Sequence, residues 1–322
     1  MKGVRLLLRG VLIYAACAPL AAQQVPVEVV TLKTLGVATS FVLSKTGRLA
    51  GAVCGDGKLR LWSLPEGRLL RTIELGDRSL DVVTLSPDGS SLAAGDHQGK
   101  YTVWDTATGV EQMDMKLSFY PIALAFSPDG RRLAIAPAGE PVQILDLATR
   151  TKLVELRRPI GGSEALAFSR DGSHIAAADA DTVVRIYDAR TGELLPSNAD
   201  FLLEPLAVAF TADGKQLVTG GGDKVVASLD VASGKLIRRS QKLDDPVASL
   251  DISPDGALVA ATLLHADNML MPGLVIVSET ASGRRVTEWL PATLALGGGW
   301  TNDGRLLIAT ASDNALHVWR VH

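Results

Sequence analysis

Six aspartates recur along the chain at a nearly constant interval: Asp88, Asp129, Asp171, Asp213, Asp255 and Asp303, with Thr46 in the corresponding place before the first. Carboxylates bind calcium and act as general acids and bases, so a ring of them could hold an ion or a reacting group. Each is followed by glycine, and three sit in the tetrapeptide Ser-Pro-Asp-Gly. That tetrapeptide is also a turn, in which Pro presets φ, Asp accepts a local hydrogen bond and Gly takes the positive-φ position. The two readings make different demands. A calcium ligand must lie within about 2.6 Å of the ion, whereas turns at the ends of face-packed sheets stand about 10 Å apart. Neighbouring carboxylates so placed cannot share a metal, and the turn reading is the one expected.

Other chemistry is sparse. The five histidines, His97, His174, His265, His317 and His322, show no zinc-ligand spacing to one another or to cysteine. Asp179 and Asp181 are too close for an EF-hand loop. The stretch "GDHQGKY" has three residues between its glycines and no Ser or Thr after Lys100, so it is not a phosphate loop. No Gly-x-Ser-x-Gly nucleophile elbow occurs. No catalytic residue, cofactor site or metal site is assigned.

The first residues, "MKGVRLLLRGVLIYAACAPLAAQQ", combine a basic start (Lys2, Arg5), an apolar run from Gly10 to Leu20 and the small residues Ala21 and Ala22. This is the pattern of a secretory signal peptide over 1–22, which predicts export to the periplasm or the extracellular space. A retained anchor is less favoured because the run falls short of the ~20 residues a span needs, and a lipid on Cys17 because Tyr14 stands where a lipoprotein signal has Leu and Arg9 lies close by. Removing Lys2, Arg5 and Arg9 takes the 32 basic residues to 29 against 35 acidic ones, a net charge of −6. That sign argues against a nucleic-acid partner. Cys54 then remains alone as a buried thiol, and the 47% apolar content must supply stability without a disulfide.

The elements that carry the aspartates repeat with them. The glycines that close the turns, Gly47, Gly89, Gly130, Gly172, Gly214, Gly256 and Gly304, are spaced by 42, 41, 42, 42, 42 and 48 residues. Before each turn stands a short apolar run such as "IALAF", and after it another such as "RLAIA". A Gly/Asp-rich turn and a third run such as "YTVW" follow, then a second turn such as "TATG" and a more polar fourth run. Four short strands per 42 residues is the signature of a propeller blade. Large apolar residues stand four places before every anchor glycine. Trp62, Trp104, Leu145, Tyr187, Leu229 and Trp319 stand fifteen after it, and the insertion in unit six puts Ser278 at the equivalent place.

On these residues the chain resembles the WD-repeat (Trp-Asp repeat) β-propeller family. Trp104-Asp105 is the family's dipeptide. Leu145-Asp146, Tyr187-Asp188 and Leu229-Asp230 keep its Asp, and Trp62 and Trp319 keep its Trp. The family's turn Asp is matched by Asp56, Asp181, Asp223 and Asp313, whereas its Gly-His pair is missing from every repeat, and with it the side-chain network centred on that His. The "SPDG" form resembles divergent bacterial members. The fold expected is all-β: one domain, 23–322, forming a seven-bladed β-propeller with four antiparallel strands per blade. The last unit lacks a fourth strand, and "VPVEVVTLK", Val25 to Lys33, is expected to supply it and close the ring.

Most apolar residues are absorbed by this template. Those left over fall in the links between blades and in the one insertion, Thr262 to Gly273: Phe119, Tyr120, Phe201, Leu202, His265, Met269, Leu270 and Met271. Aromatics and methionines in loops that no packing requires are candidates for a partner surface. The family resemblance likewise implies a protein-binding scaffold, here monomeric, non-enzymatic and without a membrane span once the signal is cut. The alternative is a propeller enzyme, lactonase- or hydrolase-like, with a site at the channel mouth. Asp251, where other units mostly have Ala, is its best candidate acid. Gly297-Gly298-Gly299 marks either a loosened strand at the closure or room for a ligand in the channel.

Overall fold

The computed structural model describes residues 26–36, 38–76, 78–156, 162–196, 205–264, 273–312 and 314–321. They form seven antiparallel sheets arranged as a ring, with no helix. The innermost strands, from blade one to blade seven, are Ala38–Leu43, Leu80–Leu85, Pro121–Phe126, Ser163–Phe168, Pro205–Phe210, Val247–Ile252 and Leu294–Trp300. Each touches the inner strand of the blade on either side, including the contact of blade seven with blade one. The other strands of a blade follow outward in sequence order, as in blade two with Leu80–Leu85, Ser91–Asp96, Lys100–Asp105 and Glu111–Lys116.

The burial pattern explains the strand sequences. Second strands are covered on both faces by neighbouring blades and are buried after their first residue, with an apolar middle, as in "RLAIAP". Outer strands face solvent and alternate, as in "EQMDMK", of which only Met113 is fully buried. The core therefore lies in the seams between blades. Trp104 packs with Val53, Leu61 and Ile73 of blade one, and Tyr187 with Ala134 and Ile144 of blade three. Each bulky third-strand residue thus fills the seam toward the preceding blade. Burying one such side chain contributes about 1.5–3 kcal/mol.

The ring closes as the repeat arithmetic requires. Val27–Lys33 pairs antiparallel with Ala315–Arg320 and becomes the outer strand of blade seven. In blade four the described residues give three strands of the sheet, and the start of the fourth is seen in the Tyr187–Leu194 bridge and in Leu195 N donating to Ile186 O at 2.8 Å.

All seven inner strands carry a bulge at one place, between Leu80 and Val82 in blade two and between Ala295 and Gly297 in blade seven. The triple-glycine strand is therefore not loosened. It pairs from Leu294 to Trp300 like its six counterparts.

Candidate interaction face

The two faces of the disc are built differently. On one, the Ser-Pro-Asp-Gly turns are bonded to the turns between third and outer strands, for example through Thr106 N to Ser90 O at 2.9 Å. On the other, the links between blades are bonded to the turns between second and third strands, for example through Leu117 N to Gly99 O at 2.9 Å.

The recurrent aspartates are consumed by their own turns. Asp88 Oδ1 accepts from Ser86 Oγ at 2.6 Å and from Ser90 N at 3.0 Å, and Asp129, Asp171, Asp213 and Asp255 repeat this arrangement. Hydrogen bonds from Ser169 and Ser173 hold the Asp171 carboxyl down at about 2, and Arg305 and Thr301 do the same for Asp303. A second series, Asp105, Asp146, Asp188 and Asp230, caps the other turn of this face by accepting from a backbone N–H three residues on. Among the described residues no group of three His, Cys, Asp or Glu side chains is placed to hold a metal.

Asp251 is likewise engaged. Its Oδ2 accepts from Lys45 Nζ at 2.6 Å and from Trp300 N at 2.7 Å, and its Oδ1 from Ile252 N. The carboxylate therefore ties blades six, seven and one together at the channel wall. Gly299 is what makes this possible, because a Cβ there would lie 2.6 Å from Asp251 Oδ2. The triple glycine leaves room for a neighbour's carboxylate. The channel mouth around this pair, about 380 Å³, is lined by Phe41, Leu124 and Phe168 together with the polar Ser44 and Thr84. Asp251 and Lys45 are 206 residues apart, and only the closed ring brings them together.

In place of the missing His-centred network, blade four has another. Ser163 Oγ donates to Asp179 Oδ1 at 2.5 Å, and Arg185 bridges Asp179 and Asp181 at 2.6 Å each. Asp179 is fully buried, and burial pushes its carboxyl up against the opposing pull of Ser163 and Arg185. Blade one repeats the arrangement in part, with Arg60 forked on Asp56 and donating to Thr34 O. The signal was the Asp-x-x-x-Arg spacing, Asp56 with Arg60 and Asp181 with Arg185.

The link face presents Phe119 and Tyr120 side by side, 44% and 49% exposed. Their backbone is fixed. Phe119 O accepts from Tyr101 Oη at 3.3 Å and Tyr120 O from Ala138 N at 2.9 Å. Gly99, at φ +82°, lets the link lie close, since a Cβ there would sit 2.5 Å from Leu117 O. A rigid backbone thus holds two aromatic side chains out to solvent. Leu35 and Leu290, also in links, are exposed on the same face. Phe201, Leu202, His265, Met269, Leu270 and Met271 lie outside the described residues. The described base of the insertion is on this face, where Leu264 N donates to Pro246 O.

Comparison with known proteins agrees with this architecture. The repeat family described as "WD domain, G-beta repeat" matches residues 162–188, which is the blade that carries the Ser163–Asp179–Arg185 network. The chain is similar to WD repeat-containing protein SL1-17 of Schistosoma mansoni, at 32% identity over 36% of this chain and 38% of the relative. It is also similar to small ribosomal subunit protein RACK1 of Drosophila melanogaster, 32% identical over 32% of this chain and 33% of the relative. The Caenorhabditis elegans protein of the same name is 31% identical over 34% and 33%. The similarities span between 33% and 38% of the relatives' length. The 42-residue spacing, the seven-sheet ring and its N-terminal closure make the chain a seven-bladed β-propeller, and its fourth blade matches the WD repeat.

Proposed function

We propose that this propeller is an exported, non-enzymatic scaffold that binds a protein partner through its link face. The observation that carries the proposal is the Phe119–Tyr120 pair, exposed on a link whose two carbonyls are held by Tyr101 Oη and Ala138 N. Paired aromatics on a rigid support are what a hot spot requires, because little conformational entropy is lost when they are covered. The sequence adds Phe201, Leu202, His265, Met269, Leu270 and Met271 as further candidates, in a link and an insertion outside the described residues. Two of the similar proteins are by name components of a ribosomal subunit, an assembly of many chains.

Export rests on the residue pattern of 1–22, and the net charge of −6 without that segment keeps nucleic acid out of the proposal. Among the described residues no helix is long and apolar enough to cross a membrane. We place the working protein as a monomer in the periplasm or the extracellular space. Serine at Phe119, Tyr120, Met269 and Met271 together should abolish partner capture from the native fraction while leaving circular dichroism and melting unchanged. Undiminished capture by that folded variant would remove the link face from the account.

A further inference from the structure

Six of the seven seams are each filled by one continuous cluster of buried apolar side chains. The seam between blades five and six is not. Its buried residues fall into two four-membered groups, one around Val218 and Val259 and the other around Ala261 and Ile276. Between and outside them opens a cleft of about 640 Å³.

Two serines create it. Ser278 pairs with Val259 in the register where Trp104 pairs with Leu92 and Leu229 with Leu217. It is therefore the sixth blade's counterpart of the bulky residue that fills every other seam. Facing it, Ser228 of blade five occupies the position of Leu61, Val103, Ile144 and Ile186 in blades one to four. Both residues that should meet in this seam are small, and both line the cleft.

The walls have a definite chemistry. The inner part is apolar, with Val218, Val226, Val259 and Ile276. The mouth carries four arginines, Arg238, Arg239, Arg284 and Arg285, against one carboxylate, Glu279. Arg238 spans the seam to the Thr280 and Ala281 carbonyls. Arg284 is held by Glu279 and Arg285 by Glu288, in exposed pairs that an incoming anion exchanges at little cost. Thr280, 7% exposed, also lines the cleft, and among the described residues its Oγ1 has no hydrogen-bond partner. The equivalent Thr106 in blade two donates to Gly89 O at 2.6 Å. A buried hydroxyl left open costs about 1–3 kcal/mol, and a ligand acceptor would recover that.

We infer that the seam between blades five and six is a binding site for a small aromatic acid. Its ring takes the volume that a third-strand tryptophan fills elsewhere, and its carboxylate meets the arginine mouth and Thr280 Oγ1. The site is lined by neither Phe119 nor Tyr120, the pair that carries the scaffold proposal, so the two are tested separately.

Indole-3-propionate is the probe, titrated calorimetrically into the full chain, with 3-methylindole as its neutral counterpart. The expected result is saturable binding of one molecule per chain, with the neutral probe weaker by at least about tenfold, or 1.4 kcal/mol. Ser278→Trp should abolish binding by filling the cleft. Because a misfolded variant would also fail to bind, Ser278→Leu is the second arm, since leucine is native at this register in blades three and five. Both variants should melt at or above the parent temperature. Absence of saturable binding by the parent, or binding unchanged in a folded Ser278→Trp or Ser278→Leu, would overturn the inference. Equal affinity for the two probes would overturn the role of the arginine mouth.

Discussion

Lys45 Nζ lies 2.6 Å from Asp251 Oδ2, joining the first turn of blade one to the inner strand of blade six across blade seven. The same oxygen accepts Trp300 N, so the two contacts can be separated by mutation. Lys45→Met removes only a half-exposed ion pair and should cost no more than about 1 kcal/mol. Asp251→Ala also leaves the Trp300 N–H without its acceptor and should cost about 1–3 kcal/mol. Urea unfolding of the two variants distinguishes this order from the reverse, which a catalytic rather than architectural Asp251 would permit.

Ring closure depends on the strand Val27–Lys33. Leu32, 1% exposed, pairs with Leu316 and packs among Trp62, Leu64 and Val318. Leu32→Ala should destabilise the propeller by about 2–5 kcal/mol, as expected for a buried leucine. Denaturant melts read the effect directly. A loss confined to blade seven, seen as hydrogen exchange in that blade alone, would show that the ring does not unfold as one unit.

Arg185 holds a carboxylate that has no access to water. Arg185→Ala leaves Asp179 buried with only Ser163 as partner, and should destabilise by about 3–5 kcal/mol. Arg60→Ala should cost less, since its partner Asp56 is exposed and can rehydrate. Thermal melts of the pair test the ranking.

Acid should weaken the fold through its turns. Asp171 and Asp303 sit at about 2 in the folded chain, down from 3.8. A carboxyl depressed on folding contributes stability that is complete above its unfolded value and is lost as pH falls through the folded one. The melting temperature should therefore drop between about pH 4 and pH 2. Asp171→Asn should lower stability at pH 7 by about 1 kcal/mol, after allowing for its exposure, and the difference should have largely shrunk by pH 2. An Asn variant as destabilised at pH 2 as at pH 7 would contradict the ionic origin.

The anchor glycines were a sufficient ruler for the fold, because a turn that requires positive φ tolerates few residues and so keeps its spacing. The strand that closes the ring could be read for a related reason: seven units left one strand missing and one strand spare. What the spacing could not show is what faces what across a seam. Ser278 stood out in the sequence as an exception to the bulky series. Its meaning needed Ser228, fifty residues earlier and on the opposite blade. The partnership of Asp251 with Lys45 depends on closure in the same way, since no local pattern links residues at opposite ends of the chain.

The central claim is that a protein partner covers the link face. A photo-crosslinking amino acid at Tyr120, with a second variant carrying it at Ala107 on the opposite face, tests this in the native exported fraction. The account predicts one discrete crosslinked protein from position 120 and none from position 107. Crosslinking from 107 alone, or none from either position in the folded, exported protein, would contradict it.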